Sequence, residues 1–185
     1  MRETTPDLTR ISKYISLILR HKPEVIGIQL DAHGWADVNA LLAGISRKHP
    51  INRDILEEIV RSDEKQRYSF SEDGTKIRAN QGHSIQVDVE LPVTEPPETL
   101  YHGTAQRFAA SIEVQGLLPQ SRLYVHLSTD VQTARKVGAR HGEPIVYEID
   151  CAAMRRDAYV FYLSQNGVWL IKQVPYRYMK EVQER

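Results

Sequence analysis

Apolar residues at Leu8, Ile11, Ile15 and Ile18 recur at helical spacing, predicting a helix that begins at Thr5-Pro6 and stops at Arg20-His21-Lys22-Pro23. Ile28-Gln29-Leu30 predicts a short strand, Asp31 to Gly34 a turn, and Asp37 the N-cap of a helix carrying Val38, Leu41, Leu42 and Ile45. Asn52 caps a third helix with Ile55, Ile59 and Val60 on its apolar side. From Arg67 to Ile77 the pattern becomes that of two short strands joined at Asp73-Gly74.

Residues 85–98 alternate Val87, Val89 and Leu91 before Pro92, Pro96 and Pro97, with Asp88, Glu90, Glu95 and Glu98 interspersed. This predicts a stiff acidic connector. Beyond it the elements expected are a strand at Leu100–His102, a helix with Phe108 and Ile112 ended by Gly116, and a strand at 124–127. A helix capped by Asp130, a strand at 145–149 and a hairpin turned at Asn166-Gly167 follow. The fold class expected is therefore α+β. Residues 1–84 have the helix, strand, helix, helix, hairpin order of a winged helix, 85–98 are a linker, and 99–185 form a mainly β lobe.

Composition narrows the function classes. At 41% hydrophobic and 26% charged, the 185 residues can fill one core or two small ones. Formal charge is zero, so no broad basic face exists to track long duplex nucleic acid, and any nucleic-acid contact is expected to be local. The single Cys151 excludes an internal disulfide and a multi-cysteine zinc site, and reads as a buried thiol. No apolar run has the length of a membrane span and the start lacks a secretory segment, so a cytoplasmic protein with no membrane partner is expected. Gly-x-Gly-x-x-Gly, P-loop, Gly-x-Ser-x-Gly and His-Glu-x-x-His motifs are absent, disfavouring a dehydrogenase, P-loop kinase, common esterase or zincin. Trp35 and Trp169 read as core residues, His33 and His49 as surface ones.

The run Arg78-Ala-Asn-Gln-Gly-His-Ser84 has almost nothing to bury and is rich in donors suited to phosphate or a nucleotide. With Leu19-Arg20-His21 upstream and Tyr101-His102-Gly103-Thr104 downstream, it resembles the KptA family of RNA 2′-phosphotransferases over most of the chain. The resemblance implies a C-terminal ADP-ribosyltransferase-like lobe and NAD as co-substrate, with no metal. His102, Gly103, Thr104, His126 and Ser128 would lie on the nicotinamide side, and Gly138 and Arg140 on the adenosine or pyrophosphate side. It assigns phosphate chemistry to Arg20, His21, Arg67 and Arg122, and RNA or intermediate binding to Arg78, Asn80, Gln81, Gly82 and His83. Three guanidiniums can make forked bonds to phosphate oxygens, and a histidine can relay a proton. The residues alone leave other readings open: Arg20 and His21 also suit a helix C-terminus, Arg67 a wing, and Arg122 a solvated loop.

Val168 stands where many ADP-ribosyltransferases place a glutamate. An anionic phosphate acceptor needs no such base, so the departure suits a phosphate acceptor. The reaction implied has two steps: the RNA 2′-phosphate displaces nicotinamide from NAD, then the ribose O2″ attacks phosphorus, giving RNA 2′-OH and ADP-ribose 1″,2″-cyclic phosphate. The partner expected is a tRNA-like RNA carrying a splicing-derived 2′-phosphate, acted on by a monomer. The alternative is an ADP-ribosyltransferase that stops after the first step, capping terminal phosphates of RNA or DNA. A winged-helix transcription regulator is disfavoured, because Asp54, Glu57 and Glu58 would face phosphate in a major groove.

Overall fold

The computed structural model describes residues 7–183, so the expected helix start at Thr5-Pro6 lies outside the described residues. The chain divides into two compact units, Met1–Glu90 and Leu91–Arg185.

The first unit is built from three helices and a small antiparallel sheet. Helix α1 (Leu8–Arg20) is capped by Asp7, whose carboxylate accepts from Arg10 N–H at 3.0 Å. Its apolar stripe, Ile11, Ile15, Ile18 and Leu19, is buried. Helix α2 (Val38–Ile45) is capped by Asp37 and α3 (Arg53–Ser62) by Asn52, each side chain accepting from the N–H three residues on. These short polar residues satisfy orphan donors that the helix itself cannot. Strands β1 (Ala36–Asp37), β2 (Tyr68–Phe70) and β3 (Lys76–Ala79) form a sheet in the order β1-β3-β2, with Ile77 opposite both Ala36 and Phe70. The sheet and helices close over one core that includes Leu41, Leu56, Tyr68 and Ile77.

Two expectations in this unit are corrected. Ile28–Leu30 pairs with no strand; a 3-10 turn at Pro23–Ile26 precedes it, and the strand joining the sheet is Ala36–Asp37. Trp35 is not a core residue but half-buried, because the Asp31 turn sets its ring under the Arg78 guanidinium, 4.4 Å from the ring centroid. A cation over an indole face is a favourable pairing.

The second unit contains strands β4 (Thr99–Ala105), β6 (Pro144–Asp150) and β9 (Met179–Glu181) in the order β4-β6-β9. A second sheet runs β5-β8-β7, from β5 (Val125–Leu127), β7 (Phe161–Leu163) and β8 (Trp169–Ile171). The β7–β8 hairpin turns at Gly167, whose φ of +75° suits a residue without Cβ. Helices α4 (Ala109–Gln115), α5 (Val131–Gly138, capped by Asp130) and α6 (Cys151–Arg156) complete it. Sequence periodicity did not disclose α6 or β9, which are only six and three residues long. Cys151 and Trp169 both lie in the core of this unit, and burial pushes the Cys151 thiol up to about 12. Within 85–98, Asp88 N–H donates to Ala32 O in the first unit, whereas Thr94 N–H donates to Phe161 O in the second.

Candidate active site

In the first unit, the polar run after β3 folds back onto the C-terminal end of α1. Ser84 N–H donates to the Arg20 carbonyl at 3.0 Å, and Ser84 Oγ lies 2.9 Å from His21 Nδ1. The first contact satisfies one of the carbonyls that every helix end leaves open. The second holds the imidazole through Nδ1. Gly82, at φ +88°, passes so close to Arg20 that a Cβ there would lie 3.6 Å from the guanidinium carbon. His83 is buried, and its pKa falls to about 4, first through burial and then through the charges of Arg20, His21 and Arg78. It is thus neutral at pH 7, and its Nε2 is buried without a hydrogen-bond partner among the described residues. Arg78 stacks on Trp35 and reaches Glu90 Oε2 at 3.3 Å. Arg20, His21, Arg78, Gly82, His83 and Ser84 therefore form one cation-rich cluster.

Asn80 and Arg67 take different places. The buried Asn80 donates from Nδ2 to Gln66 O at 2.6 Å and accepts from Ser69 Oγ at 2.8 Å. Its amide ties together the open end of the β2–β3 hairpin, away from the Asp73-Gly74 turn. Arg67 Nη1 is ion-paired with Asp63, and Arg67 N–H donates to the same carboxylate at 2.7 Å. Gln81 is half-buried beside Gly82.

His83 gives this cluster a measurable pH signature. Its folded pKa lies below the unfolded value of about 6.5, so the unfolded chain binds the extra proton and stability falls as pH drops from 6.5 toward 4. Denaturant unfolding should show a loss of about 2 kcal/mol between pH 7 and pH 5 that His83→Gln removes. An unchanged acid slope in His83→Gln would assign the effect elsewhere.

In the second unit, β4 alternates sides, so His102 and Thr104 share one face and Gly103 points to the other. The Gly103 position lies so close to α5 that a Cβ would sit 1.6 Å from Ala134 O, and at Gly138 it would sit 2.6 Å from Thr104 O. Ala134 and Gly138, four residues apart on α5, thus allow the helix backbone to lie directly on His102-Gly103-Thr104. Gly103 and Gly138 have this packing reason to be glycine, which a ligand-centred reading of the sequence did not supply. Ser128 exchanges backbone hydrogen bonds with Tyr101, both 2.8 Å, which brings it beside the same strand. His102 Nδ1 is 2.9 Å from His126 O. Burial lowers the His102 pKa; the bond to His126 O opposes this and the charge of Arg122 adds to it. His102 is therefore a neutral donor at pH 7, positioned through Nδ1 by a carbonyl.

Arg122 sits in the loop before β5 and Arg140 in the 3-10 turn after α5. Desolvation of its head group, and next the charge of Arg140, lower the Arg122 pKa. Two guanidiniums close enough to repel each other are stabilised by an anion between them. Val168 is half-buried at the hairpin, donating N–H to Ser164 Oγ at 2.9 Å.

Residues 6–173 match the family model described as RNA 2'-phosphotransferase, Tpt1 / KptA family. Proteins named "Probable RNA 2'-phosphotransferase" are similar along nearly their whole length. The one from Nostoc punctiforme is 51% identical, over 95% of this chain and 97% of its own. That from Acaryochloris marina is 50% identical, over 95% and 98%, and that from Burkholderia lata 48% identical, over 97% and 93%. With a cation cluster after β3, a neutral histidine on β4 and this extent of identity, the chain belongs to the Tpt1/KptA family of RNA 2'-phosphotransferases.

Proposed function

We propose that this protein removes an internal 2′-phosphate from RNA, using NAD as co-substrate. The observation that carries the reading is the cluster around Arg20, where two arginines, His21 and the unpartnered His83 Nε2 converge and Glu90 is the one carboxylate bonded to Arg78 among the described residues. Such a cluster fits a dianionic phosphate. On this reading the first unit is a winged-helix lobe that holds RNA and phosphate, and the second an ADP-ribosyltransferase-like lobe that holds NAD. The linker is 85–98, and the protein works as a cytoplasmic monomer on tRNA-like splice products.

The second unit fits NAD in its donor chemistry. Thr104 and Ser128 offer hydroxyls and the β4 backbone offers peptide groups beside neutral His102, while the Arg122–Arg140 pair suits a pyrophosphate or transferring phosphate. In the first step, an oxygen of the RNA 2′-phosphate bonds to C1″ of NAD, and nicotinamide leaves with the electrons of the broken C–N bond. In the second, the ribose O2″ gives up its proton, bonds to phosphorus and expels the RNA O2′, which takes a proton. Arg20, Arg67 and Arg122 stabilise the charge that builds on the phosphoryl oxygens, and His21 carries the proton.

The test is product identity. The protein, NAD and an oligoribonucleotide with one internal 2′-phosphate should yield RNA 2′-OH, nicotinamide and ADP-ribose 1″,2″-cyclic phosphate, at the same rate with and without a chelator. The guanidiniums are expected to supply the charge a metal would. An ADP-ribosylated end as the final product would replace this reading with a terminal-phosphate transferase. Activity abolished by chelator and restored by magnesium would overturn the metal-free reaction.

A further inference from the structure

A groove of about 340 Å³ lies between α1 and the C-terminal end of α3, lined by residues that include Leu8, Lys13, Ser16, Ile59, Asp63 and Arg67. Its size is at the lower end of the roughly 300–1,000 Å³ typical of sites for small organic ligands, enough for one nucleotide. The groove's fixed polar lining includes hydroxyls tied to a buried tyrosine. Tyr68 OH donates to Ser12 O at 2.7 Å and lies 2.5 Å from Ser16 Oγ. Asp63 is spent inside the protein: its side chain is 6% exposed and engages both the Arg67 guanidinium and the Arg67 N–H. What remains accessible is positive. The Arg67 side chain is 32% exposed and only its Nη1 is engaged by Asp63, while Lys13 is exposed with no carboxylate partner among the described residues.

The groove also has a direction. Thr9, Lys13, Ser16 and Arg20 are spaced by four, three and four residues, so they lie along one face of α1. The first three line the groove and the fourth belongs to the phosphate cluster. Lys13 and Arg20 are separated by about 10 Å of helical rise, so the groove runs along α1 toward the phosphate cluster. Apolar Leu8 and Ile59 offer walls for a ribose or base, and Lys13 suits the connecting phosphodiester.

We infer that this groove is a subsite for the nucleotide flanking the 2′-phosphorylated residue, with Lys13 on the backbone phosphate. The inference rests on the proposed reaction and sharpens its substrate: an RNA unpaired next to the 2′-phosphate, extended on one particular side. A lone 2′-phosphorylated nucleotide leaves the groove unused.

Lys13 is exposed, so Lys13→Glu should fold normally. Three RNAs test it: an internally 2′-phosphorylated oligonucleotide, and the same molecule trimmed on its 5′ or on its 3′ side up to the modified residue. On the full oligonucleotide Lys13→Glu should raise KM roughly tenfold, the scale of one charge-assisted contact. On one of the two trimmed RNAs that factor should collapse, and trimming that side should cost the unmutated protein a similar factor. The slope of log affinity against log salt should fall by about one. RNA affinity by fluorescence anisotropy without NAD should follow the same pattern. It decides the subsite even if no RNA is turned over, a result that would overturn the proposed reaction instead. An unchanged affinity in Lys13→Glu, or an equal loss on all three RNAs, overturns the subsite.

Discussion

Replacing Arg122 or Arg67 with alanine is expected to slow the second step of the proposed reaction by about two orders of magnitude while leaving the first comparatively intact, so that RNA-2′-phospho-ADP-ribose accumulates. In the first step charge leaves the sugar carbon, which becomes cation-like and gains little from neighbouring guanidiniums. In the second, negative charge concentrates on the phosphoryl oxygens, and a forked guanidinium contact strengthens as it does so. Losing one contact of that kind costs about 3 kcal/mol. The two positions differ in an instructive way. Arg67 is already held by Asp63, so its guanidinium is preorganised, whereas Arg122 is restrained by neither an ion pair nor a side-chain hydrogen bond among the described contacts. Arg122→Lys should therefore recover part of the second-step rate, since an ammonium keeps the charge without the fork. Arg67→Lys should recover less, because the Asp63 bond is set to guanidinium geometry. The measurement is quenched-flow separation of substrate, intermediate and product. Wild-type turnover in both alanine variants, or slow turnover with no intermediate while RNA and NAD still bind, would remove these arginines from the second step.

Much of this molecule is legible in its sequence because local chemistry decides it. Asp37, Asn52 and Asp130 cap the helices they were expected to cap, since a short acceptor ahead of an apolar-periodic run has few better uses. Gly74 and Gly167 turn the hairpins where expected, both at positive φ. Ile28–Leu30 has the composition of a strand yet lacks a partner, because strand pairing is settled by which edge is free in three dimensions. In the first unit the fold brings Arg20 and His21 against Gly82, His83 and Ser84, residues that only the family resemblance had grouped. The contacts of Asn80 and Trp35 were not readable in the same way: a buried amide tying the open end of the hairpin and an indole under an arginine depend on contacts made across the hairpin and the Asp31 turn. Lys13 was likewise silent, being one lysine on the polar side of a helix until Asp63 and Arg67 from the α3 side complete a groove beside it.

Gly103→Ala is expected to be the most destabilising small substitution in the second unit, and its cause separates packing from chemistry. The added methyl carbon would stand 1.6 Å from Ala134 O and 2.4 Å from Ala134 C, which are helix backbone and cannot rotate away. Either α5 lifts from β4 or the strand bends, and overpacking that moves backbone costs at least about 3 kcal/mol. Gly167→Ala is the matched control, since nothing lies within 4 Å of its Cβ position and only its φ of +75° is unfavourable. That cost is about 1–2 kcal/mol. Chemical denaturation monitored by Trp169, in the core of the second unit, should thus lose clearly more stability in Gly103→Ala than in Gly167→Ala. Adding Ala134→Gly should not rescue it, because the clash is with the peptide carbonyl and not with the Ala134 side chain. A Gly103→Ala protein as stable as its parent, with only NAD use impaired, would mean that the glycine is there for the ligand and that α5 can retreat from β4 at little cost. Rescue by Ala134→Gly would place the clash on a side chain after all. If neither result appears, β4 presents His102 and Thr104 in a fixed position because a helix backbone rests against its other side, and the geometry of the site depends on two glycines that never touch substrate through a side chain.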